Sequence, residues 1–527
     1  MSEVDLTAFA ESSNARMAEK VPTPMQEVNL ALQACSFGRF HLRLLFSVMV
    51  TMTAGVLVTN TTPYLLPTAE CDLNMGLVDK GILNAAPYVG MAFSSIVAGF
   101  LTDTFGRKIF IIYGNLGIFI FTVVAGTSQT FEVLIAAKFC EGFLMASSNG
   151  AIAVQVYEFC HKGNFDRMIL CQSSFRASAQ IIIALVSWAI LVQEWRVTFF
   201  DGLIVLNTWN FYLYLMSLWS LTSCILYCFL PESPKYLVSQ KKYYEARQVL
   251  ISIYTENTGK TAESFPYFNL WKTNKVNEVI DEALEIKIEN SLSHQIVVGL
   301  HNVKSMFQKP LVFILLGVCC MNFLIMFMYN VIRLWFPQLS TIVENYITED
   351  SADLCVVLDA YTSDLRLRRS NLSSSDVCVP TKIGTETYVN SIILGTVCLI
   401  PYFISGILVN KLGKKFLQVC GGIISVLILL GVRFSNTKVA VVALFSIGTA
   451  AAQMMMSLTQ AMTVQNFPTT TRTLAISINM TIGRIGSLVG NVIFPILLNI
   501  GCVVPFYTLA GIMIGATLIA IFIPSKK

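Results

Sequence analysis

Long apolar runs alternate with short polar connections along the whole chain. Each run is close to the ~20 residues that a helix needs to cross ~30 Å of hydrocarbon. Because the runs are continuously apolar, without the ten-residue alternation of a membrane strand, they predict helices. The predicted spans are 41–66, 80–101, 109–128, 132–157, 168–193, 203–230, 310–336, 387–410, 416–433, 438–463, 473–499 and 502–524.

The twelve spans fall into two sets of six that are separated by a polar stretch. We expect an N-terminal tail at 1–36, one half at 37–237, a linker at 238–309 and a second half at 310–525. The second half contains a long external loop at 338–386. The predicted fold class is an all-α membrane protein with twelve transmembrane helices in two pseudo-symmetric halves.

Composition supports a membrane protein and excludes several other classes. The chain is 54% apolar and 13% charged, whereas soluble domains carry about 25% charged residues. The net charge of +4 includes no basic stripe of the kind that binds nucleic acid. No histidine lies in a hydrolytic or metal-binding arrangement, and no Walker loop is present. We therefore expect no enzyme, cofactor or metal, and transport that ATP does not drive.

The distribution of basic residues predicts the orientation in the membrane. With both termini inside, 24 of the 36 Lys and Arg residues fall on the cytoplasmic side and 8 on the external side. The positive-inside rule therefore favours cytoplasmic termini. Asn371-Leu372-Ser373 is a glycosylation sequon in the long external loop, which makes Asn371 a candidate acceptor.

Most of the fourteen cysteines lie inside apolar runs, where a free thiol behaves as a small hydrophobe. Cys71, Cys355, Cys378 and Cys502 fall in predicted external segments, where a disulfide can persist. Cys355 and Cys378 share the long loop and are the candidates for a disulfide.

A glycine-rich loop with charges follows the second span. It contains Gly99, Asp103, Gly106, Arg107 and Lys108. Glycines permit close helix approach and a tight turn, and Asp103 is placed to cap a helix end.

The same pattern recurs one half-chain later, after the eighth span, as Gly406, Asn410, Gly413 and Lys414. Here an amide replaces the aspartate, which weakens the charged contact.

Another pair of equivalent positions follows the fourth and tenth spans. Glu158 precedes Arg167 by a short polar turn, and Phe467 leads to Arg472 in the second half. Together, these paired loops resemble the signatures of the major facilitator superfamily. The resemblance implies alternating access between two halves that are related by an axis along the membrane normal. It also implies that these loops act in conformational gating.

Pro231-Glu232-Ser233-Pro234 closes the sixth span and is similar to an element of sugar porters, organic ion transporters and synaptic vesicle glycoprotein 2 proteins. This resemblance implies that Glu232 acts in conformational gating. The loop before the second span is short, and the long external loop follows the seventh span. Among these three groups, this arrangement is most similar to the synaptic vesicle glycoprotein 2 proteins. Proteins of that group carry acidic residues in the first span, but no Asp or Glu occurs here between residues 41 and 69. The sequence therefore does not predict proton coupling in that helix.

Polar groups inside spans should face the bundle interior because an ionisable group at mid-bilayer costs at least ~2.5–3.5 kcal/mol. The candidates for the substrate cavity are Asn60, Lys138, Glu141, Gln172, Arg176, Gln180, Tyr329, Asn330, Gln453, Gln460 and Arg484. Lys138 and Glu141 are three residues apart on one helix face, either as a gate or as a mutually satisfied pair. Arg176 and Arg484 lie on equivalent helices, where they would suit an anionic substrate or make packing contacts.

Arg333 and Trp335 lie near the end of the seventh span. We expect them at the external interface, where snorkelling cations and aromatic side chains are common.

The leading functional hypothesis is secondary transport of a small organic solute, an organic anion or another organic ion. The alternatives are a transporter-fold receptor or regulator without vectorial transport and, third, a sugar porter. We expect a monomeric multi-pass protein of the plasma membrane or an intracellular vesicle, with the lipid bilayer and a solute as its partners.

Overall fold

The computed structural model describes residues 24–160, 165–199, 201, 204–271, 308–309, 311–346, 354–370, 384–401, 408, 411–435, 437–467 and 469–523. Most of these residues are helical. The first helices are α1 (Pro24–Ala34), α2 (Arg39–Ala69), α3 (Leu77–Phe105), α4 (Arg107–Thr127), α5 (Phe131–Glu158), α6 (Phe165–Leu191) and α7 (Thr208–Cys228). The short helix α8 (Pro234–Ser239) and α9 (Tyr243–Thr258) follow, together with a 3₁₀ turn at Ala262–Ser264.

The second half repeats the arrangement. Its helices are α10 (Leu311–Tyr346), α11 (Leu354–Ser370), α12 (Thr385–Val397), α13 (Lys414–Arg433), α14 (Lys438–Asn466), α15 (Thr469–Ile500) and α16 (Val503–Phe522). A helix lies at each of the twelve predicted spans, although α12 is described only over its first part. Within the described residues, nine helices are long and apolar enough to cross a membrane by length and composition. The prediction of an all-α membrane protein is confirmed.

The sixth span begins later than its apolar run. Residues Arg196–Phe199 (β1) and Ile204–Asn207 (β2) form an antiparallel hairpin, in which Arg196 is opposite Asn207. The helix α7 then starts at Thr208, and the backbone amide of Asn207 donates to Asn210 Oδ1 at 2.8 Å. The polar side chains at the start of this apolar run therefore lie at the beginning of α7, where Asn210 caps the helix.

The chain enters and leaves the bundle on one side, which we call the terminal face; the opposite side is the distal face. At the terminal face, α1 packs with α8, α9 and the residues that follow them. Trp271 Nε1 donates to Glu27 Oε2 at 2.6 Å, and Asn257 Nδ2 donates to the carbonyl oxygen of Cys35 at 3.0 Å. Burial in this cluster raises the pKa of the Cys35 thiol to about 12.

The seventh span is longer than its predicted bounds of 310–336. The helix α10 continues to Tyr346 because Leu339, Ile342 and Val343 extend its buried apolar face. A further helix, α11, lies within the predicted long loop, and its Leu358 is buried against the second half.

The distal face carries a disulfide between Cys355 of α11 and Cys502 at the start of α16. Of the two candidate cysteines, Cys355 therefore pairs with Cys502 and not with Cys378. The Cys502 amide also donates to Asp359 Oδ1 at 2.9 Å, so α11 is fixed to α16 by two adjacent contacts. Cys71 is also disulfide-bonded, and Cys378 lies outside the described residues.

The two halves touch along α3 and α15, and along α6 and α12. Near the distal face, Gly81 of α3 has no room for a Cβ because the carbonyl oxygen of Asn491 and the ring of Pro495 lie against it. Tyr64 of α2 stacks on Tyr388 of α12, with ring centroids 6.4 Å apart, and Tyr388 is fully buried. The distal ends of the halves are thus packed against each other.

Candidate substrate cavity

A cavity lies between the two halves, beneath the distal contacts. It is lined by Asn60, Pro63 and Tyr64 of α2, Gln180 of α6, Arg333, Phe336 and Pro337 of α10, and Ser391 and Leu394 of α12. Two of the predicted cavity residues, Asn60 and Gln180, are therefore placed at its wall. Both halves contribute, so a relative movement of the halves would change the shape of the cavity.

Arg333 is the charged group of this cavity. Its Nη1 donates to the Tyr329 hydroxyl at 3.0 Å, and its guanidinium carbon lies 5.1 Å from the Tyr329 ring centroid. Its Nε is buried without a hydrogen-bond partner. Among the described residues, no carboxylate forms an ion pair with Arg333. Arg333 is partly buried, and a cation shielded from water without a counter-charge is costly, so the site is suited to a bound anion.

The expected interfacial position of Arg333 and Trp335 is wrong. Arg333 lines the cavity between the halves. Trp335 is 1% exposed and packs on Phe494 of α15, with ring centroids 5.3 Å apart. Both side chains lie inside the helix bundle because α10 continues well beyond them.

Asn330 joins three helices near the cavity. The Tyr88 hydroxyl of α3 donates to Asn330 Oδ1 at 2.8 Å, and Asn330 Nδ2 donates to Ser487 Oγ of α15 at 2.7 Å. Because both ends of its amide are used, Asn330 fixes α10 against its neighbours. Tyr329 has a related role, since its hydroxyl holds Arg333.

Lys138 and Glu141 form a fully buried ion pair in α5. Lys138 Nζ lies 2.9 Å from Glu141 Oε2, and both side chains are 0% exposed. Lys138 Nζ also donates to Thr61 Oγ1 of α2 at 3.2 Å. The pair therefore lies at the contact between α2 and α5, one residue along α2 from Asn60 of the cavity wall.

The two predicted arginines do not meet in the cavity. The side chain of Arg176 is exposed and is not part of the cavity wall. Arg484 Nη1 donates to the Met91 carbonyl oxygen at 3.3 Å and to Ser95 Oγ, both in α3. Arg484 therefore makes a packing contact between the halves, which was one of the two alternatives.

The three remaining glutamines are dispersed. Gln172 and Gln453 are buried, 4% and 6% exposed, and Gln460 Nε2 lies 3.6 Å from the sulfur of Met480. None of the three is part of the described cavity wall.

At the terminal face, the first half carries a network of charged contacts. Arg107 Nη2 lies 3.1 Å from Glu158 Oε1, and the Arg107 guanidinium carbon is 4.8 Å from the Tyr236 ring centroid. The Lys108 amide donates to Glu232 Oε2 at 3.3 Å. These contacts join α4, α5, the end of α7 and α8, and we call them the first-half latch.

The equivalent position of the second half has the same backbone and different chemistry. Gly413 has φ +82° and ψ 151°, close to the φ +101° and ψ 153° of Gly106. Lys414 Nζ donates to Gln465 Oε1 at 3.1 Å, where the first half has an ion pair. We call this contact the second-half latch.

Comparison with known proteins connects this geometry to a family. Residues 45–332 match the profile of the family described as "Sugar (and other) transporter". Residues 383–527 match the profile described as "Major Facilitator Superfamily". The chain belongs to the major facilitator superfamily.

Members with curated descriptions include similar proteins from mouse and human. The chain is 24% identical over 264 residues to mouse synaptic vesicle glycoprotein 2C, covering 50% of this chain and 36% of that protein. It is 22% identical over 352 residues to human synaptic vesicle glycoprotein 2B, covering 64% of this chain and 50% of that protein. The matches thus span between about a third and half of these relatives' length.

A solved structure shares the facilitator fold. The xylose transporter XylE from E. coli, in a partially occluded inward-open conformation, aligns with a TM-score of 0.63. It is 14% identical and covers 92% of this chain and 100% of that one. The predicted fold is thereby confirmed. The profile matches confirm the sequence resemblance to the superfamily, which is a family of multi-pass membrane transporters and not of enzymes.

The structure does not describe several of the residues that the sequence predicted for this transporter fold. The side chains of Gly99, Asp103, Arg167 and Arg472 are not described, and Gly406 and Asn371 lie outside the described residues. Sequence reasoning missed Arg333 as a cavity residue. The signal that could have identified it is the continued apolar face after 336, which places it inside a longer helix.

Proposed function

We propose that this protein is a secondary transporter of a small organic anion that works by alternating access, with Arg333 as the anion-binding group. The supporting observation is the partly buried Arg333 side chain, whose Nε has no hydrogen-bond partner. It has no carboxylate partner among the described residues, and it lines a cavity between the halves. A guanidinium presents paired donors that fit a carboxylate. Asn60, Gln180 and Ser391 add neutral hydrogen-bonding groups for the rest of the solute.

The orientation and gating roles belong to the same proposal. The terminal face would be cytoplasmic, as the Lys and Arg distribution favours, and the two latches would open and re-form during the transport cycle. The distal contact between Tyr64 and Tyr388 would open when the cavity faces outward.

A sugar is the second candidate substrate. It is favoured by the neutral lining of Asn60, Gln180 and Ser391 and by the structural neighbour, which is a xylose transporter. A sugar would leave the Arg333 charge without a counter-ion, which is why we rank it second.

Ligand-dependent thermal stability of the purified full chain separates these possibilities. Benzoate and succinate serve as anions, xylose as a neutral solute and tetraethylammonium as a cation. A ligand of the native state at 100 times its Kd adds about 2.7 kcal/mol of stability. We expect an anion to stabilise the protein, Arg333→Gln to abolish that response and Arg333→Lys to retain part of it.

Arg433 provides the matched control, because this cation lies outside the cavity, 5.9 Å from the Phe434 ring centroid. Arg433→Gln should respond to the anion like the wild type. Stabilisation by xylose alone would favour the sugar porter. Anion binding without uptake into proteoliposomes would favour a receptor.

A further inference from the structure

Glu141 is the one carboxylate in the described transmembrane helices that lies far from a helix end. It is the eleventh of the 28 residues of α5. Asp79, Glu132, Glu158, Glu344 and Glu386 all lie within three residues of a helix end. At 1.5 Å per residue, Glu141 is about 15 Å into the helix, which is half the thickness of the hydrocarbon core.

The two oxygens of this carboxylate have different environments. Oε2 is paired with Lys138 Nζ at 2.9 Å. Oε1 is buried without a hydrogen-bond donor, because the neighbouring Thr122 hydroxyl donates to the Ile118 carbonyl oxygen at 2.7 Å. An ionised carboxylate with an unsatisfied buried oxygen is costly, and protonation removes that cost. Oε1 is therefore a place where a proton can bind.

The surroundings of Glu141 contain few other titrating groups. Lys138 and the thiol of Cys140 are its neighbours on α5. From α4, the facing group is the Thr122 hydroxyl. From α2, the Thr61 hydroxyl contacts Lys138. From α3, Pro87 packs against the adjacent Gly142. Lys138 is thus the only charge among these neighbours.

A continuous segment of α2 connects this pair with the cavity. Asn60 lines the cavity, and the next residue, Thr61, accepts a hydrogen bond from Lys138. If Glu141 takes a proton, the positive charge of Lys138 loses its counter-charge beside the cavity. An anion in the cavity would compensate for that loss, so that proton and anion would each increase the affinity for the other.

We infer that Glu141 is the proton-binding carboxylate of a proton-coupled anion symport, in place of the acidic group that the first span lacks. A proton from water on one side binds Glu141 Oε1 as the anion binds, and it leaves to water on the other side as the anion is released. The O–H bond that forms at Glu141 replaces an O–H bond of hydronium, and release of the proton to water reverses this exchange. The inference rests on the proposed anion transport, but its proton site can be tested separately.

Infrared difference spectroscopy of the purified full chain tests the proton site without a substrate. Over a pH titration, the wild type should show the C=O band of a protonated carboxyl that appears as the pH falls. Glu141→Gln should lack this band. Glu70→Gln is the matched control, because Glu70 also pairs with a buried lysine, Lys80, at 2.9 Å, but at the distal end of the bundle. Its spectrum should keep the band.

Proteoliposomes that contain a pH-sensitive dye test the coupling. A succinate gradient should drive proton movement in the wild type and in Glu70→Gln; succinate is used because benzoic acid crosses lipid unaided. In Glu141→Gln, proton movement should disappear while succinate counterflow continues. If the infrared titration of Glu141→Gln equals that of the wild type, Glu141 does not bind the proton and the inference is overturned. If the band is lost but no anion moves in any variant, the proton site stands and the proposed function fails.

Lys138→Gln covers the case in which Glu141→Gln does not fold. Loss of the lysine charge should move the midpoint of the carboxyl band to higher pH by about one unit or more. An unchanged midpoint would show that the titrating group is not the partner of Lys138.

Discussion

The latches of the two halves have the same backbone and different side-chain chemistry. Gly106 and Gly413 occupy the same positive-φ region, so the turn between the second and third helix of each half is repeated. In the first half the turn leads into an ion pair, Arg107 with Glu158 at 3.1 Å. In the second half it leads into a contact between a cation and a neutral amide, Lys414 with Gln465 at 3.1 Å. The two halves have therefore kept the same backbone geometry, but the second half has an amide where the first half has a carboxylate.

This difference predicts an unequal cost for opening the two halves. Arg107 and Glu158 are each only 13% exposed, so their pair is partly shielded from water. Hydrogen bonds to charged groups contribute about 1.5–3 kcal/mol, and the first-half pair adds the attraction between two opposite charges, which a lysine and a neutral amide lack. We expect the first-half latch to be the main barrier to movement at the terminal face.

The largest effect should come from a side chain at Gly106. Its φ and ψ are accessible almost only to glycine, which costs other residues about 1–3 kcal/mol. A Cβ would also lie 3.0 Å from Glu232 Oε2 and 3.1 Å from Tyr236 Cε1. Gly106→Val should therefore lower both thermal stability and uptake strongly.

Gly413→Val is the matched variant, because Gly413 has similar dihedral angles and nothing within 4 Å of a Cβ. It should lose only the backbone contribution, and its stability should lie between those of Gly106→Val and the wild type. Equal losses in both variants would show that the contact with Glu232 and Tyr236 contributes nothing.

A charge change in each latch should alter the rate of the transport cycle in opposite directions. Glu158→Gln leaves Arg107 facing a neutral amide, as in the second-half latch, and should favour opening at the terminal face by about 1–3 kcal/mol. Gln465→Glu gives the second half an ion pair with Lys414, and should slow opening. The measurement is cysteine accessibility at the terminal ends of the helices in proteoliposomes.

The exchange of both charges is the control for the first half. Arg107→Glu combined with Glu158→Arg should restore wild-type accessibility if the pair itself acts as the latch. If Gln465→Glu leaves accessibility unchanged, the absence of a charged pair does not explain the difference between the halves.

A smaller effect is expected from Glu232, which joins the first-half latch from the end of α7. Glu232 Oε2 accepts from the Lys108 amide at 3.3 Å, a longer contact than the pair beside it. Glu232→Gln keeps an acceptor and removes the charge. We expect a loss of stability of less than about 1.5 kcal/mol, measured by thermal unfolding and compared with Glu158→Gln. A larger loss than that of Glu158→Gln would reverse the order of importance within the latch.

The sequence predicted the spans and latches well because both are local signals. Hydropathy requires only consecutive residues, and the glycine loops carry their motif within ten positions. Arg333 was misjudged because the end of an apolar run was taken as the end of the helix. The helix α10 continues 13 residues to Tyr346, about 20 Å at 1.5 Å per residue, and this moves Arg333 from the expected interface into the interior.

Contacts between distant segments could not be predicted from these signals. Cys355 pairs with a cysteine 147 positions away, and nothing in the local sequence identifies that partner. The pseudo-symmetry of Arg176 and Arg484 was also misleading, since equivalent helices have diverged in what they face. One side chain is exposed and the other contacts α3.

The smallest effect concerns the Cys160 thiol beside the first-half latch. Cys160 is 3% exposed, and burial raises its pKa to about 11. At pH 8, about 0.1% of such a thiol is thiolate, against roughly a quarter for a free cysteine of pKa ~8.5. Alkylation of Cys160 in the wild type should therefore be slow, and mass spectrometry of maleimide-labelled protein can follow it.

If the first-half latch controls opening, Glu158→Gln should speed labelling of Cys160 while Gln465→Glu should not. Equal labelling rates in the wild type and both variants would mean that Cys160 is shielded by local packing alone, and that the latch does not control access to this side of the first half.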